Sequence, residues 1–109
     1  MLLTVNEDSG HCVIAVSGEI DLSTSGELDS AVVAALQNET EHLTLDFSEV
    51  SFLDSSGLGV VVKALKRAKE ANTLFDVVSA NERVLKVFSL TGLDTLISIY
   101  ATLDAVAAQ

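Results

Sequence analysis

The chain has 109 residues, 49% of them hydrophobic, which is the size of one domain and enough apolar material for its core. We therefore expect a single domain over residues 1–109, and the short apolar runs exclude a membrane-spanning helix. Sixteen acidic residues outnumber six basic ones and give a net charge of −10, a balance that repels nucleic acid and anionic membrane surfaces.

The first part of the chain predicts a β-hairpin followed by a helix. Leu2–Val5 alternates weakly, residues 6–10 are turn formers, and Cys12–Ser17 alternates again, a pattern typical of two antiparallel strands. The second strand ends at the sequence Gly-Glu-Ile-Asp, residues 18–21. Residues 23–25 offer N-caps for a helix. The apolar positions of that helix are Leu28, Val32, Ala35 and Leu36.

The middle of the chain predicts a third strand and an amphipathic helix. His42–Phe47 alternates as a strand, and residues 48–53 are predicted to be a loop. After Asp54, apolar residues recur at the spacing of one helix face. They are Leu58, Val61, Val62, Leu65 and Ala68.

The last part of the chain continues the alternation of strands and helices. Leu74–Val78 is the predicted fourth strand, a third helix is capped by Ser79 or Asn81 and ends at Gly92, and Leu96–Tyr100 is the fifth strand. Residues 102–107 are predicted to form a terminal helical turn. The order is ββαβαβαβα, which predicts an α/β fold: a mixed sheet of about five short strands with an opening antiparallel hairpin and helices packed on the sheet.

The charges are unevenly distributed along the chain. Residues 1–62 carry eleven acidic residues and no lysine or arginine, whereas residues 63–109 carry six basic and five acidic residues. Two interpretations stay open. The acidic residues form either a solvated surface that keeps the protein in solution or a face that steers a basic partner protein toward it.

Sequence signals for targeting, metal binding and catalysis are missing. The single cysteine, Cys12, excludes an internal disulfide and a cysteine-rich zinc site, and the N-terminus has no basic leader, so we expect the reducing cytoplasm. His11 and His42 lie in no metal-ligand spacing and are interpreted as surface or strand residues. Neither a nucleophile elbow nor a phosphate-binding glycine loop is present, so we expect no enzyme and no cofactor.

The segment from Val50 to Val60 carries the most information. It places Asp54, Ser55 and Ser56 where free backbone N–H groups and the positive end of a helix dipole favour anionic groups, including a phosphate on serine. Gly57 and Gly59 each cost roughly 1 kcal/mol of helix propensity relative to alanine. From the residues alone two interpretations remain: a capped helix whose glycines permit tight packing, or a surface that a partner's backbone approaches closely.

Three motifs together resemble the anti-sigma factor antagonist family, whose domain is called STAS. They are Gly-Glu-Ile-Asp at 18–21, Asp-Ser-Ser-Gly-Leu-Gly at 54–59 and Leu-Thr-Gly-Leu at 90–93, in the expected order over essentially the whole chain. The resemblance implies a protein that, when unphosphorylated, binds an anti-sigma factor that is also a serine kinase, and so releases a sigma factor for transcription. It also implies that phosphorylation of Ser55 blocks this binding and that a serine phosphatase reverses the modification.

The resemblance further implies the residues of the site. Ser55 follows the motif aspartate and is the implied phosphoacceptor, while Ser56 is the weaker candidate for phosphorylation and is interpreted as a helix cap. Asp21 and Asp54 flank the acceptor, where they either orient its hydroxyl, hold basic residues of the kinase, or serve only as a turn former and an N-cap. The predicted partner-binding residues are Glu19, Asp21, Ser23, Asp54, Ser55, Ser56, Gly57, Leu58 and Gly59.

Two other functional classes stay open at this stage. Similar domains serve as scaffolds or as subunits of transporters and stress-signalling complexes, in which the serine is not phosphorylated. An enzyme or a nucleotide-binding domain is the other class. The intact Asp-Ser-Ser-Gly sequence argues against the first class, and the missing catalytic pairs and phosphate loop argue against the second.

Overall fold

A five-stranded sheet organises the chain in the computed structural model, which describes residues 1–107. Its strands are β1 (Leu2–Asp8), β2 (His11–Ile20), β3 (His42–Leu53), β4 (Leu74–Val78) and β5 (Ser98–Tyr100). The helices are α1 (Ser25–Gln37), α2 (Ser55–Glu70), α3 (Glu82–Leu90) and α4 (Leu103–Ala107), with a 3₁₀ turn at Leu93–Thr95.

The sheet is mixed, as the sequence predicts. Its strands follow the chain order β1-β2-β3-β4-β5; β1 and β2 are antiparallel, and each later pair is parallel. The connections between the parallel strands run through helices, as parallel pairing requires. The predicted α/β fold, with its opening hairpin and its element order ββαβαβαβα, is therefore confirmed.

The core lies between one face of the sheet and three helices. Ile14, Leu45 and Val77 are register neighbours on β2, β3 and β4, and all three are fully buried. Alternation along a strand sends such neighbours to the same face. Apolar side chains of the helices join them in one cluster, among them Leu28 and Val32 of α1, Val61 and Ala64 of α2, and Val84 and Phe88 of α3.

Strand β3 continues through the segment that was predicted to be a loop, so that prediction is wrong. Residues 48–53 belong to β3 and pair in parallel with β2 as far as Ile20 and Leu53. The pairing passes two register irregularities, and Gly18 takes a φ of +91° at one of them. These irregularities disturb the strict alternation, which is why the sequence pattern did not indicate a strand.

Helix α2 packs through a face that overlaps the predicted one, because Val61 and Ala68 are buried as predicted. Its buried residues are Gly57, Val60, Val61, Ala64 and Ala68, whereas Leu58 and Leu65 are half-buried. Val62 is 43% exposed, which corrects its predicted place on the apolar face. Most of the buried side chains are small, so the helix can lie close to the sheet.

Smaller differences concern the ends of elements. The first turn consists of Ser9 and Gly10, because β1 continues to Asp8. Strand β5 begins only at Ser98, since Leu96 follows the 3₁₀ turn and is 59% exposed. Asn81 rather than Ser79 caps α3, and Gly92, with a φ of +77°, lies just beyond that helix. The predicted terminal helical turn is α4.

Candidate functional site

The ends of β2 and β3 bring two of the predicted motifs together. Ile20 and Leu53 are register partners, and the backbone N–H of Asp54 donates to the carbonyl of Ile20 at 3.2 Å. The segment 19–23 therefore lies beside the start of α2. Parallel strands end at the same edge of the sheet, and residues following them meet there.

Asp54 is the N-cap of α2. One carboxylate oxygen, Oδ1, accepts hydrogen bonds from the backbone N–H groups of Ser56 at 2.9 Å and Gly57 at 3.1 Å. The Asp54 carbonyl accepts the first bond of the helix, from Leu58 at 2.9 Å. Of the roles considered for Asp54, the N-cap is thus realised in the structure.

The two serines of the motif differ in accessibility. Ser55 is the first residue of α2 and is exposed, whereas Ser56 is half-buried. Within residues 1–107, no side chain or backbone group forms a hydrogen bond with either serine hydroxyl. The Ser55 side chain is therefore available to a second protein, at a helix end whose dipole favours negative charge.

Asp21 organises the turn between β2 and α1. One of its carboxylate oxygens accepts hydrogen bonds from the Ser23 hydroxyl at 2.7 Å, the Ser23 N–H at 3.0 Å and the Thr24 hydroxyl at 3.2 Å. These bonds, with that from the Ser23 hydroxyl the strongest influence, lower the pKa of Asp21 below its ordinary value. Asp21 is thus a turn former that stays charged, and the neighbouring Glu19 and Ser23 are exposed.

Gly57 faces the interior, so contacts within the chain already account for a glycine at this position. It is buried, and a Cβ atom there would lie 2.5 Å from Cδ1 of Leu53 and 2.6 Å from Cγ2 of Ile20. Leu58 is half-buried against the core. Gly59 differs from both, because a Cβ atom at that position would meet no atom within 4 Å. Tight packing within the chain explains the glycine at position 57, whereas it does not explain the glycine at position 59.

A shallow depression of about 250 Å³ lies between the first turns of α1 and α2. Ser25, Ser55, Ser56, Gly59 and Lys63 contribute to its lining. Near it, Arg67 of α2 donates to the Asp29 carboxylate of α1 at 2.7 Å and so ties the two helices together. Lys63 thus places a positive charge on the same depression as Ser55, and the sequence analysis did not single out this lysine.

Three other residues of this region were missed from the sequence. The Thr24 hydroxyl oxygen accepts from the backbone N–H of Asp21 at 2.9 Å and fixes the turn. Leu22 is 82% exposed, and Phe52, the register partner of Glu19, is 44% exposed. Only the Thr24 bond had a sequence signal, a hydroxyl three residues after a turn-forming aspartate. Phe52 lay in the segment that was predicted to be a loop.

A second polar cluster lies at the opposite end of β3. His11 and His42 are register partners, their rings stack with centroids 4.1 Å apart, and His42 is 2.6 Å from the Asp76 carboxylate. No group of three or more histidine, cysteine or acidic side chains within residues 1–107 is arranged to hold a metal ion. Over the same range, no helix is long and apolar enough to cross a membrane.

Comparisons with known proteins agree with these motifs. The family model described as STAS domain matches residues 3–106. The anti-sigma-B factor antagonist of Listeria monocytogenes is 35% identical over 84% of this chain and 81% of that protein. The crystal structure of an anti-sigma factor antagonist from Mycobacterium paratuberculosis has a TM-score of 0.91 and 33% identity, over 98% of this chain and 91% of the other.

A more distant structure extends the comparison of the fold. The Bacillus cell fate determinant SpoIIAA, in its phosphorylated form, has a TM-score of 0.78 over 98% of each chain. At 20% identity this likeness concerns the fold alone. The family model and the Listeria and Mycobacterium relatives, at 33% identity or more, show that the chain belongs to the STAS domain family, together with the anti-sigma factor antagonists.

Proposed function

We propose that this protein is an anti-sigma factor antagonist controlled by phosphorylation of Ser55. In its unphosphorylated form it binds an anti-sigma factor that is also a serine kinase, and a sigma factor is released. The observation that carries the proposal is the exposed Ser55 hydroxyl, unbonded within the described chain, at the capped start of α2. Relatives named anti-sigma-B factor antagonists support the choice of partner.

The geometry favours Ser55 over Ser56 as the phosphoacceptor. Ser55 is exposed, and Ser56 is half-buried with its N–H bound to Asp54. A kinase must enclose the acceptor hydroxyl together with the γ-phosphate of ATP, so an exposed side chain is the better substrate. The surrounding surface for the partner includes Glu19, Asp21 and Ser23 from the neighbouring turn.

Electrostatics explains how one phosphate would end the binding. Phosphorylation adds about −1.5 to −2 charges at Ser55, close to the Asp54 carboxylate. The helix dipole accommodates that charge, and the Asp54 cap is unchanged, so the fold persists. A contact built around a neutral hydroxyl would instead bury an unmatched phosphate. Such a loss amounts to several kcal/mol, or more than about a hundredfold in affinity.

Phosphorylation and dephosphorylation of Ser55 would be catalysed by the partner proteins. In the described chain no side chain hydrogen-bonds the Ser55 hydroxyl as a base would, and the Asp54 oxygen Oδ1 is engaged by the cap. We therefore propose that the kinase supplies both ATP and the catalytic base, and that a serine phosphatase removes the phosphate. This protein would then be a substrate of both the kinase and the phosphatase and would have no enzymatic activity of its own. It would act in the cytoplasm.

Phosphate mapping tests the assignment of the acceptor. The protein is incubated with the candidate anti-sigma kinase and ATP, and the phosphoserine is located by mass spectrometry. We expect modification at Ser55, loss of incorporation in Ser55→Ala, and near-normal incorporation in the matched control Ser56→Ala. Full incorporation in the Ser55→Ala protein would overturn the assignment.

A further inference from the structure

The polar cluster at the start of β2 and β3 is a connected chain of hydrogen bonds. Thr44 Oγ1 lies 2.5 Å from Oδ1 of Asp76 and 2.8 Å from Nε2 of His11. His42 Nε2 lies 2.6 Å from Oδ2 of the same Asp76. Asp76 and Thr44 are buried, and His11 and His42 are half-buried, so these contacts are largely shielded from water.

With Asp76 ionised, the hydrogen-bond partners determine which atoms of the cluster carry protons. The Asp76 carboxylate can only accept hydrogen bonds, so the Thr44 hydroxyl donates its single proton to Oδ1 of Asp76. The Thr44 oxygen must therefore accept a hydrogen bond from Nε2–H of His11. His42 likewise donates its Nε2–H to Oδ2 of Asp76. Each histidine is left with Nδ1 as the atom that can take a further proton. The single Asp76 carboxylate can match one imidazolium, but the two stacked rings are 4.1 Å apart and a second would be repelled.

The cluster lies on the sheet face opposite the core, because its residues alternate along the strands with core residues, and α4 borders it on that face. A cavity of about 440 Å³ is lined by both histidines together with Asp76, Tyr100 and Val106. A second depression places His11 beside Leu103 and Asp104 of the same helix. Val106 is only 2% exposed. His11 therefore lies between two spaces that α4 borders, and departure of α4 would expose it to water.

We propose that the His11–His42 pair is a proton-sensitive latch: a second proton on the pair weakens the attachment of α4 to the sheet. When α4 is docked, His11 is partly shielded and faces His42 at stacking distance. When α4 leaves, the imidazolium is hydrated. Acidification would thus expose the sheet face around the cavity through a local change, leaving the helix-covered core in place. The latch lies at the other end of β3 from Ser55 and does not depend on the proposed function.

The charged surroundings of His11 decide the direction of the effect. The groups facing it are Asp8 of β1, His42 of β3, Asp76 of β4, Tyr100 of β5 and Asp104 of α4, with Glu41 beside the preceding Gly10. Burial of the His11 side chain lowers its pKa, and the neighbouring His42 lowers that pKa further. Asp76 and Asp8 raise the pKa of His11, but they do not reverse the shift. Because the docked state disfavours the proton, falling pH favours the undocked state.

Methyl NMR of the intact protein between pH 7.5 and pH 5.5 tests the latch. The Val106 methyl signals report on α4, and those of Ile14 and Val61 report on the core. We expect the Val106 signals to move toward random-coil values as the pH falls while the core signals stay. With an exposed histidine pKa of about 6.5, the docked-to-undocked ratio can fall by up to about tenfold over this range.

Two variants tie the effect to the histidine pair. His11→Gln keeps a side-chain N–H for Thr44 but cannot titrate, so its Val106 signals should not depend on pH. In His42→Gln the stacked imidazole is gone and Asp76 can match a proton on His11, so the acid effect should be weaker. The proposal is overturned if the Val106 signals of the wild-type protein do not move, if they move equally in His11→Gln, or if the core signals move with them.

Discussion

The side chain of Ile20 fills the space that a side chain at Gly57 would need. A Cβ atom at Gly57 would lie 2.6 Å from Cγ2 of Ile20, closer than packed side chains approach one another. The end of β2 therefore determines the residue type at the third position of α2. The N–H of this glycine is also bound by Asp54, so packing and capping together hold the helix start that presents Ser55.

Alanine at the two motif glycines should have opposite effects on stability. Gly57→Ala forces a methyl group against Ile20 and Leu53 and should lower the free energy of unfolding by about 1–3 kcal/mol. Gly59→Ala enters open space and should raise it by up to about 1 kcal/mol through helix propensity. Urea unfolding of both variants measures this. Equal destabilisation by the two would contradict the close packing at Gly57.

Asp54 should contribute to stability mainly through its oxygen acceptor, with a smaller part from its charge at the positive end of the helix dipole. Asp54→Ala removes the acceptor for the N–H groups of Ser56 and Gly57 and should cost about 0.5–2 kcal/mol in the free energy of unfolding. Asp54→Asn retains an acceptor oxygen and should remain close to the wild type. Thermal or urea unfolding distinguishes the two. An asparagine variant as unstable as the alanine variant would show that the charge matters instead.

Asp21 should lose the largest part of its pKa shift when the Ser23 hydroxyl is removed, because the bonds from the Ser23 N–H and from Thr24 remain. That hydroxyl is the main cause of the lowered pKa, so Ser23→Ala should move the pKa of Asp21 up toward its ordinary value near 3.9. A carboxylate with a lowered folded-state pKa stabilises the fold above its unfolded-state pKa, and this contribution disappears as the pH falls through the folded-state value. Carboxyl NMR titration measures the shift, with Leu22→Ala as the control. An identical pKa in Ser23→Ala would refute the assigned cause.

The order and type of the elements could be predicted from the sequence because they depend on local patterns. Alternation in Cys12–Ser17 and Leu74–Val78 identifies strands, and the residues around Asp54 identify a helix start. The local pattern around Asp54 indicated a helix start with two serines, and the resemblance of three motifs to the anti-sigma factor antagonists singled out Ser55 among them. These features needed no knowledge of strand register.

The features that were missed depend on register and on packing distances. Residues 48–53 continue β3 because β2 pairs with them through irregularities that no alternation pattern encodes. His11 and His42 are 31 positions apart and meet only because they begin two adjacent parallel strands. The difference between Gly57 and Gly59 likewise depends on where Ile20 and Leu53 lie. Such relationships require the three-dimensional structure.

The acidic N-terminal half should accelerate association with the anti-sigma factor. Residues 1–62 contain no lysine or arginine, and Glu19 and Asp21 lie beside the proposed interface. The association rate should fall as salt rises, because attraction between exposed charges is screened over about 8 Å at physiological ionic strength. The double variant Glu19→Gln, Asp21→Asn should associate more slowly and with a weaker salt dependence. Stopped-flow measurements provide both rates.

A control variant with the same change in net charge distinguishes the effect of charges beside the site from the effect of the protein's total charge. Glu82 in α3 and Asp104 in α4 are exposed and belong to neither segment of the site. The variant Glu82→Gln, Asp104→Asn should alter the association rate much less than the variant at the site. A salt-independent rate for the unmutated protein would mean that the acidic half serves only to keep the protein in solution.

Titration calorimetry of the anti-sigma factor with the unmodified and with the Ser55-phosphorylated protein decides whether Ser55 is the switch. We expect phosphorylation to weaken binding by more than about a hundredfold, because the phosphate would be buried without a matching charge. Treatment with a serine phosphatase should restore the original affinity. Equal affinities for the two forms would contradict the proposal that Ser55 is the switch.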